Sequence, residues 1–196
     1  FSVHAGVWNP AIVSAGYHAA YLVFNNSRLY AEETAFDIGT GTGLMGIVMA
    51  LHGAENVIMS DISLKAYENA QVNVHKYGLG DVISVVHGDL FENIQGKAKF
   101  ISFMQPYFNG TPKFGDSISR SMLTSSNLIK RFLREAKDYL ETDGVILMPG
   151  YSLAGNGNNP KVLGEKQGYN VQTVFSVNCN YGLQKGELLL YELRLK

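Results

Sequence analysis

At 196 residues the chain has the length of a single globular domain able to bury a substantial core. Hydrophobic residues make up 46% and charged residues 17%, and sixteen basic against seventeen acidic side chains leave a net charge of -1, so a strongly Lys/Arg-driven grip on long nucleic acid is not indicated. The single cysteine, Cys179, excludes an internal disulfide framework, and neither a signal peptide nor an apolar run of membrane-spanning length is visible. A cytoplasmic location without membrane contact is therefore expected. The first residue is Phe1 rather than Met, so the encoded protein is expected to begin upstream of it.

After Asn9-Pro10, apolar residues at Ile12, Val13, Tyr17, Tyr21, Leu22 and Phe24 recur at roughly helical spacing up to the turn-prone Asn25-Asn26-Ser27. Residues 1–34 are read as a helical segment packed on a domain spanning 35–196. From Ala35 the chain alternates: strand Ala35–Ile38, a glycine turn, helix Leu44–His52, strand Asn56–Ser60, helix Ser63–Tyr77, strand Val82–Val86 and strand Phe100–Met104. Alternating strands and helices predict a parallel sheet covered on both faces. A long amphipathic segment at Ser119–Leu140, the turn Asp143-Gly144, strand Val145–Met148, a Gly/Asn-rich loop at Gly155–Asn159 and helix Pro160–Gln167 follow. Two closing runs, Val171–Cys179 and Glu187–Leu195, suit an antiparallel hairpin at the sheet edge.

Asp37-Ile38-Gly39-Thr40-Gly41-Thr42-Gly43 places three alternating glycines where an apolar strand turns into a helix, which lets backbone approach a ligand without Cβ clashes. Gly41-Thr42-Gly43-Leu44-Met45-Gly46 also matches the dinucleotide fingerprint, and Asp61 follows about 20 residues on, as that fingerprint expects. A nicotinamide-dependent oxidoreductase is thus one reading. Asp37 favours another, because a carboxylate just before the glycines can face the ammonium group of a methionine moiety, whereas a pyrophosphate would be repelled. Asp61, ahead of Ile62 at the next strand end, can accept from both ribose hydroxyls under either reading. Asp89 in Gly88-Asp89-Leu90 lies on the same carboxyl edge of the sheet and can accept from the exocyclic amine of adenine.

Together with Gln105-Pro106-Tyr107-Phe108 after the fourth strand, these features resemble class I S-adenosylmethionine-dependent methyltransferases from Phe36 to Lys196. Within them the chain looks most like the HemK/PrmC-type group, which methylates glutamine amides and whose relatives methylate nucleic-acid amino groups. The resemblance implies a Rossmann-like three-layer α/β sandwich with a seven-stranded, mostly parallel sheet and an antiparallel last strand. It implies S-adenosylmethionine as cofactor and S-adenosylhomocysteine as product, held by Asp37, Gly39, Thr40, Gly41, Gly43, Asp61, Ile62, Asp89, Leu90 and Gln105.

The same relatives end their fourth strand in an Asn/Asp-Pro-Pro-aromatic motif, from which this chain departs. With Gln105 in the Asn place, Pro106 fits, Tyr107 replaces the second proline and Phe108 is the aromatic; with Tyr107 as the aromatic, Met104 would replace Asn. The first register retains a polar amide. In it, a side-chain carbonyl and a neighbouring backbone carbonyl aim the lone pair of a substrate nitrogen at the methyl group while an aromatic face packs on the planar substrate. Gln105 is one methylene longer than Asn, which leaves the acceptor open among a protein glutamine amide, a small molecule and a nucleic-acid amino group. A module that keeps the fold but has lost catalysis is a further alternative.

Arg120 and Asp116 in the polar loop Asn109–Ser119 are candidate substrate contacts, and Trp8, Tyr17, His18 and Tyr21 are candidate pocket residues. The five histidines show no metal-ligand spacing, so no metal is expected, and Cys179 reads as apolar filler. A protein or small-molecule acceptor is favoured over long nucleic acid.

Overall fold

The structure is a computed structural model and describes residues 1–11, 15–110, 123–124, 127–181 and 184–196. Helix α1 (Ala15–Leu29) precedes β1 (Thr34–Ile38), α2 (Leu44–Leu51), β2 (Asn56–Asp61), α3 (Leu64–Lys76), β3 (Ile83–His87) and β4 (Ala98–Phe103). Two short strands, β5 (Phe108–Asn109) and β6 (Leu123–Thr124), pair with each other apart from the main sheet. Then come α4 (Leu128–Tyr139), β7 (Leu140–Tyr151), α5 (Pro160–Lys166), β8 (Tyr169–Tyr181) and β9 (Gln184–Leu195).

The main sheet has seven strands in the order β3-β2-β1-β4-β7-β9-β8. Pairing is parallel from β3 to β7, and β9 lies antiparallel between β7 and β8, so one strand runs against the other six. This is the expected mostly parallel sandwich. Ala35, Val57, Met59 and Phe100 pack with Leu22 and Leu29 of α1, Ile47 and Met49 of α2, and Ala70 and Val74 of α3. Phe36, Ile38, Ile101, Phe103 and Ile146 face Ile129, Phe132, Leu133 and Ala136 of α4. Period-two side-chain alternation thus fills both layers, and buried parallel strands read as almost continuous apolar runs for that reason.

Two expected boundaries move. Helix α4 starts only at Leu128, after Asn127 with φ 79°, and its apolar stripe lies on one buried face; positions 119–122 and 125–126 of the expected segment lie outside the described residues. Asp143-Gly144 does not break the strand: Ala98 pairs with Leu140 and Phe100 with Val145, so the extra residues of β7 are taken up as an irregularity inside it. The order β2-β1-β4 brings the carboxyl ends of three parallel strands side by side, where crevices in such sheets hold ligands.

Candidate active site

Three backbone reversals shape the turn after β1: Gly39, Gly41 and Gly43 have φ of 65°, 58° and 88°. L side chains rarely adopt this region, which is why glycine recurs there. A Cβ on Gly41 would meet nothing within 4 Å, so the turn presents bare backbone to open space. Gly46, one turn into α2, has a different job: a Cβ there would lie 2.3 Å from Met59 Cε, so its absence lets the helix lie on β2.

Asp37 is 2% exposed and holds the turn from inside. Its Oδ2 accepts from Thr40 Oγ1 at 2.5 Å and from the Gly46 amide at 3.0 Å, near the positive end of α2. Burial pushes the carboxyl up to about 7, against the pull of those two donors, and the Asp61 charge adds to the rise. Where the sequence suggests an aspartate facing an ammonium group, the structure therefore shows at least one of its oxygens committed to the turn.

Asp61 closes the turn from the β2 side. Its Oδ2 accepts from the Gly41 amide and its Oδ1 from the Ser63 amide, both at 2.8 Å, while Thr40 N donates to Ser60 O at 2.9 Å. Burial raises its carboxyl above the ordinary range despite these donors. Each carboxylate oxygen has two acceptor directions, so one on each remains for a ligand hydroxyl. Beside it Ile62 is 66% exposed, an apolar side chain at the mouth of the turn. Asp61 suits the ribose of either cofactor, whereas a carboxyl at Asp37 beneath the bare-backbone cradle suits a cationic group and disfavours a pyrophosphate, so the residues present fit S-adenosylmethionine better than a nicotinamide dinucleotide.

The sequence assigns Asp89 to an adenine amine; in the structure Arg131 of α4 donates to each of its oxygens, at 2.6 and 2.8 Å, and each oxygen keeps a second acceptor direction. Leu90 has φ 52°, an uncommon value for a non-glycine, with its side chain in the core and its carbonyl accepting from Ser60 Oγ at 2.8 Å. The backbone after β3 is thereby tied to the end of β2.

At the end of β4, Gln105 is 2% exposed. Its Nε2 donates to Pro149 O in β7, while its Oε1 is buried with no hydrogen-bond partner among the described residues. The methylene by which Gln exceeds Asn serves to reach that carbonyl. Tyr107 carries the next anchor: Asn158, buried in the Gly/Asn-rich loop, donates Nδ2 to Tyr107 O at 3.1 Å. Tyr107, Phe108 and Tyr151 form a set of edge-to-face rings, with centroids 5.7 to 6.5 Å apart, and Trp8 packs against this cluster.

The other candidates separate. His18 is fully buried, its Nε2 3.1 Å from Ser102 Oγ, and burial lowers it to about 3, so the ring is neutral. Tyr21 donates to Glu192 and Tyr17 packs on Phe175. Arg120 and Asp116 lie outside the described residues. Among the described residues no group of three potential ligands could hold a metal ion, and no helix is long and apolar enough to cross a membrane. Sequence reasoning missed Asn158, Arg131, Tyr151 and the Pro149 carbonyl; asparagines in the Gly/Asn-rich loop were the one visible signal among these.

Comparison with known proteins identifies the family and the fold. The family model for the methyltransferase small domain matches residues 1–153. A Methanocaldococcus jannaschii protein provisionally named a protein N5-glutamine methyltransferase is 30% identical over 175 residues, covering 84% of this chain and 83% of that protein. The release factor glutamine methyltransferase of Borreliella burgdorferi is 28% identical over 121 residues, covering 57% of this chain and only 42% of its own length. The crystal structure of a precorrin-6y C5,15-methyltransferase from Geobacter metallireducens shares the fold with a TM-score of 0.67 at 13% identity, over 96% of this chain and 92% of that one. The chain thus belongs to the methyltransferase small domain family, within the HemK/PrmC-like class I S-adenosylmethionine-dependent methyltransferases.

Proposed function

We propose that this enzyme methylates the side-chain amide nitrogen of a glutamine in a protein, with S-adenosylmethionine as donor. The observation that carries the reading is the Oε1 of Gln105, buried with no hydrogen-bond partner among the described residues, two residues before Tyr107 of the aromatic cluster. A buried acceptor without a donor costs free energy, and a substrate N–H relieves that cost as it binds. A primary amide supplies the N–H, and its planar π system suits the edge-to-face rings. The names of the Methanocaldococcus jannaschii and Borreliella burgdorferi relatives, both glutamine methyltransferases, support the same acceptor.

In this reading the Gly39–Gly43 turn, Thr40, Asp37, Asp61, Ile62 and the Asp89-Leu90 backbone hold the donor. When bound, the donor would supply an electrophilic methyl group, the electron pair of the broken S–C bond staying on sulfur. Gln105 Oε1 orients the acceptor nitrogen, whose lone pair forms the new N–C bond, and the nitrogen loses one proton to solvent. Pro149 O and Asn158 keep Gln105 and the Tyr107 carbonyl in place, because misplacement by about 1 Å can cost about 100-fold in rate.

The test is transfer of labelled methyl from S-adenosylmethionine to release factors and ribosomal proteins, with RNA, DNA and metabolite fractions alongside. Label in a protein band, mapped to a glutamine, is the expected result. Label confined to nucleic acid or metabolites would overturn the assignment.

A further inference from the structure

The first residues of the chain lie across the donor turn. Asn69 and Asn73, one helical turn apart on α3, are both fully buried. Asn69 accepts from the His4 amide at 2.7 Å and donates to Ser2 O at 2.9 Å. Asn73 accepts from the Ser2 amide at 2.7 Å and gives one N–H to Ser2 O at 2.8 Å. Its other N–H goes to Thr42 O at 2.9 Å, inside the glycine turn. One planar amide thus bonds the strap on one side and the turn on the other. The strap then continues through buried Val7 to Trp8, which packs on the Tyr107–Tyr151 cluster. It spans from the donor turn to the acceptor aromatics.

We infer that Asn73 is a positioning residue that couples strap docking to donor binding. Polar side chains fully buried on a helix are held there by their hydrogen bonds, and a lost bond leaves a buried orphan. Displacing Thr42 therefore weakens the grip on Ser2, and fixing Thr42 strengthens it. A ligand shifts such an equilibrium only through its different affinity for the two states, and the shared amide supplies that difference. The inference rests on the donor reading of the turn.

Hydrogen exchange of the Ser2 and His4 amides, followed with and without S-adenosylhomocysteine, tests it, with ligand binding measured separately by calorimetry. Saturating ligand is expected to slow these amides about tenfold in the wild type, the scale of one well-made hydrogen bond. The fluorescence of Trp8, the one tryptophan in the chain, should change in the same titration. Asn73→Leu should still bind ligand yet lose the protection. Asn69→Ala should loosen the strap without ligand but retain ligand-dependent slowing, since its lesion leaves the Thr42 bond intact.

Ligand binding without protection in the wild type, or equal protection in Asn73→Leu, would overturn the coupling alone. If Asn73→Leu does not fold, loss of ligand-dependent slowing in Asn69→Ala overturns it. Absence of calorimetric binding to the wild type would overturn the donor reading and the coupling with it.

Discussion

Thr40 donates its hydroxyl to Asp37 at 2.5 Å across the first glycine of the turn, and the carboxylate that receives it is buried and held up to about 7. The ordinary aspartate value is 3.8, so the folded chain binds this proton more tightly than the unfolded chain does. Stability from that difference is fully present below about pH 4 and is lost as pH rises towards about 7. Between these limits the ceiling is about 4 kcal/mol, from roughly three pH units at 1.36 kcal/mol each. Asp37→Asn keeps an oxygen for Thr40 and Gly46 but has no proton to lose. Its stability relative to the wild type should therefore improve from pH 5 to pH 8, as read by denaturant midpoints. A difference that does not change with pH would show that Asp37 is not charged at the cost of burial.

Under the proposed function Asp61 acts on donor affinity, since it fixes the Gly41 and Ser63 amides with one oxygen each. Bonds to a charged group contribute about 1.5–3 kcal/mol. Asp61→Ala should thus weaken S-adenosylhomocysteine binding about 10- to 100-fold, measured by calorimetry, while turnover at saturating donor falls less. Equal affinity in the variant would remove Asp61 from the donor site.

At Gln105 the expected pattern is reversed. Its Nε2 is anchored to Pro149 O, its Oε1 has no hydrogen-bond partner among the described residues, and the proposed function gives that oxygen to the acceptor N–H. Gln105→Ala should lower kcat about 100-fold, the scale of a 1 Å misplacement, with donor affinity nearly unchanged. Asn158→Ala releases only the Tyr107 carbonyl, so it should lower kcat by the smaller factor of about tenfold expected for one neutral hydrogen bond. Steady-state kinetics beside calorimetry separates the two effects, and a loss of donor affinity equal to the loss of kcat would place Gln105 in the wrong half of the site.

Much of this site is legible from local pattern, and the remainder depends on partners distant in sequence. Asp37 and Asp61 stand out because parallel strands are apolar runs that end at the ligand edge, so a carboxylate at such an end is conspicuous. Glycines with positive φ announce themselves in the same way. Asn69 and Asn73 carry no such mark: on α3 they look like solvent-facing helix residues, and their partners lie in the strap some 70 residues earlier and, for Asn73, in the glycine turn. The Arg131 partner of Asp89 is hidden for a related reason, since it lies 42 residues on and beyond a loop. Asp143-Gly144 reads as a turn locally, yet pairing of β7 with β4 absorbs it as an irregularity within the strand.

Two glycines only five positions apart should separate binding from stability. Gly41 has φ 58° and open space where a Cβ would stand, whereas Gly46 is blocked by Met59 Cε at 2.3 Å and Cγ at 2.8 Å. In Gly41→Ala the left-handed backbone costs about 1–2 kcal/mol, and the new methyl projects into the space that the turn leaves for a ligand. In Gly46→Ala the overpacking against Met59 costs about 1–3 kcal/mol, partly offset by the roughly 0.5–1 kcal/mol that Ala gains over Gly within a helix. Denaturant unfolding should therefore show comparable losses in both. Calorimetry with S-adenosylhomocysteine, at a temperature where both variants are folded, should show at least about tenfold weaker binding for Gly41→Ala, equivalent to 1.4 kcal/mol, and little change for Gly46→Ala. Wild-type affinity in Gly41→Ala would mean that the ligand does not approach the turn at its second glycine.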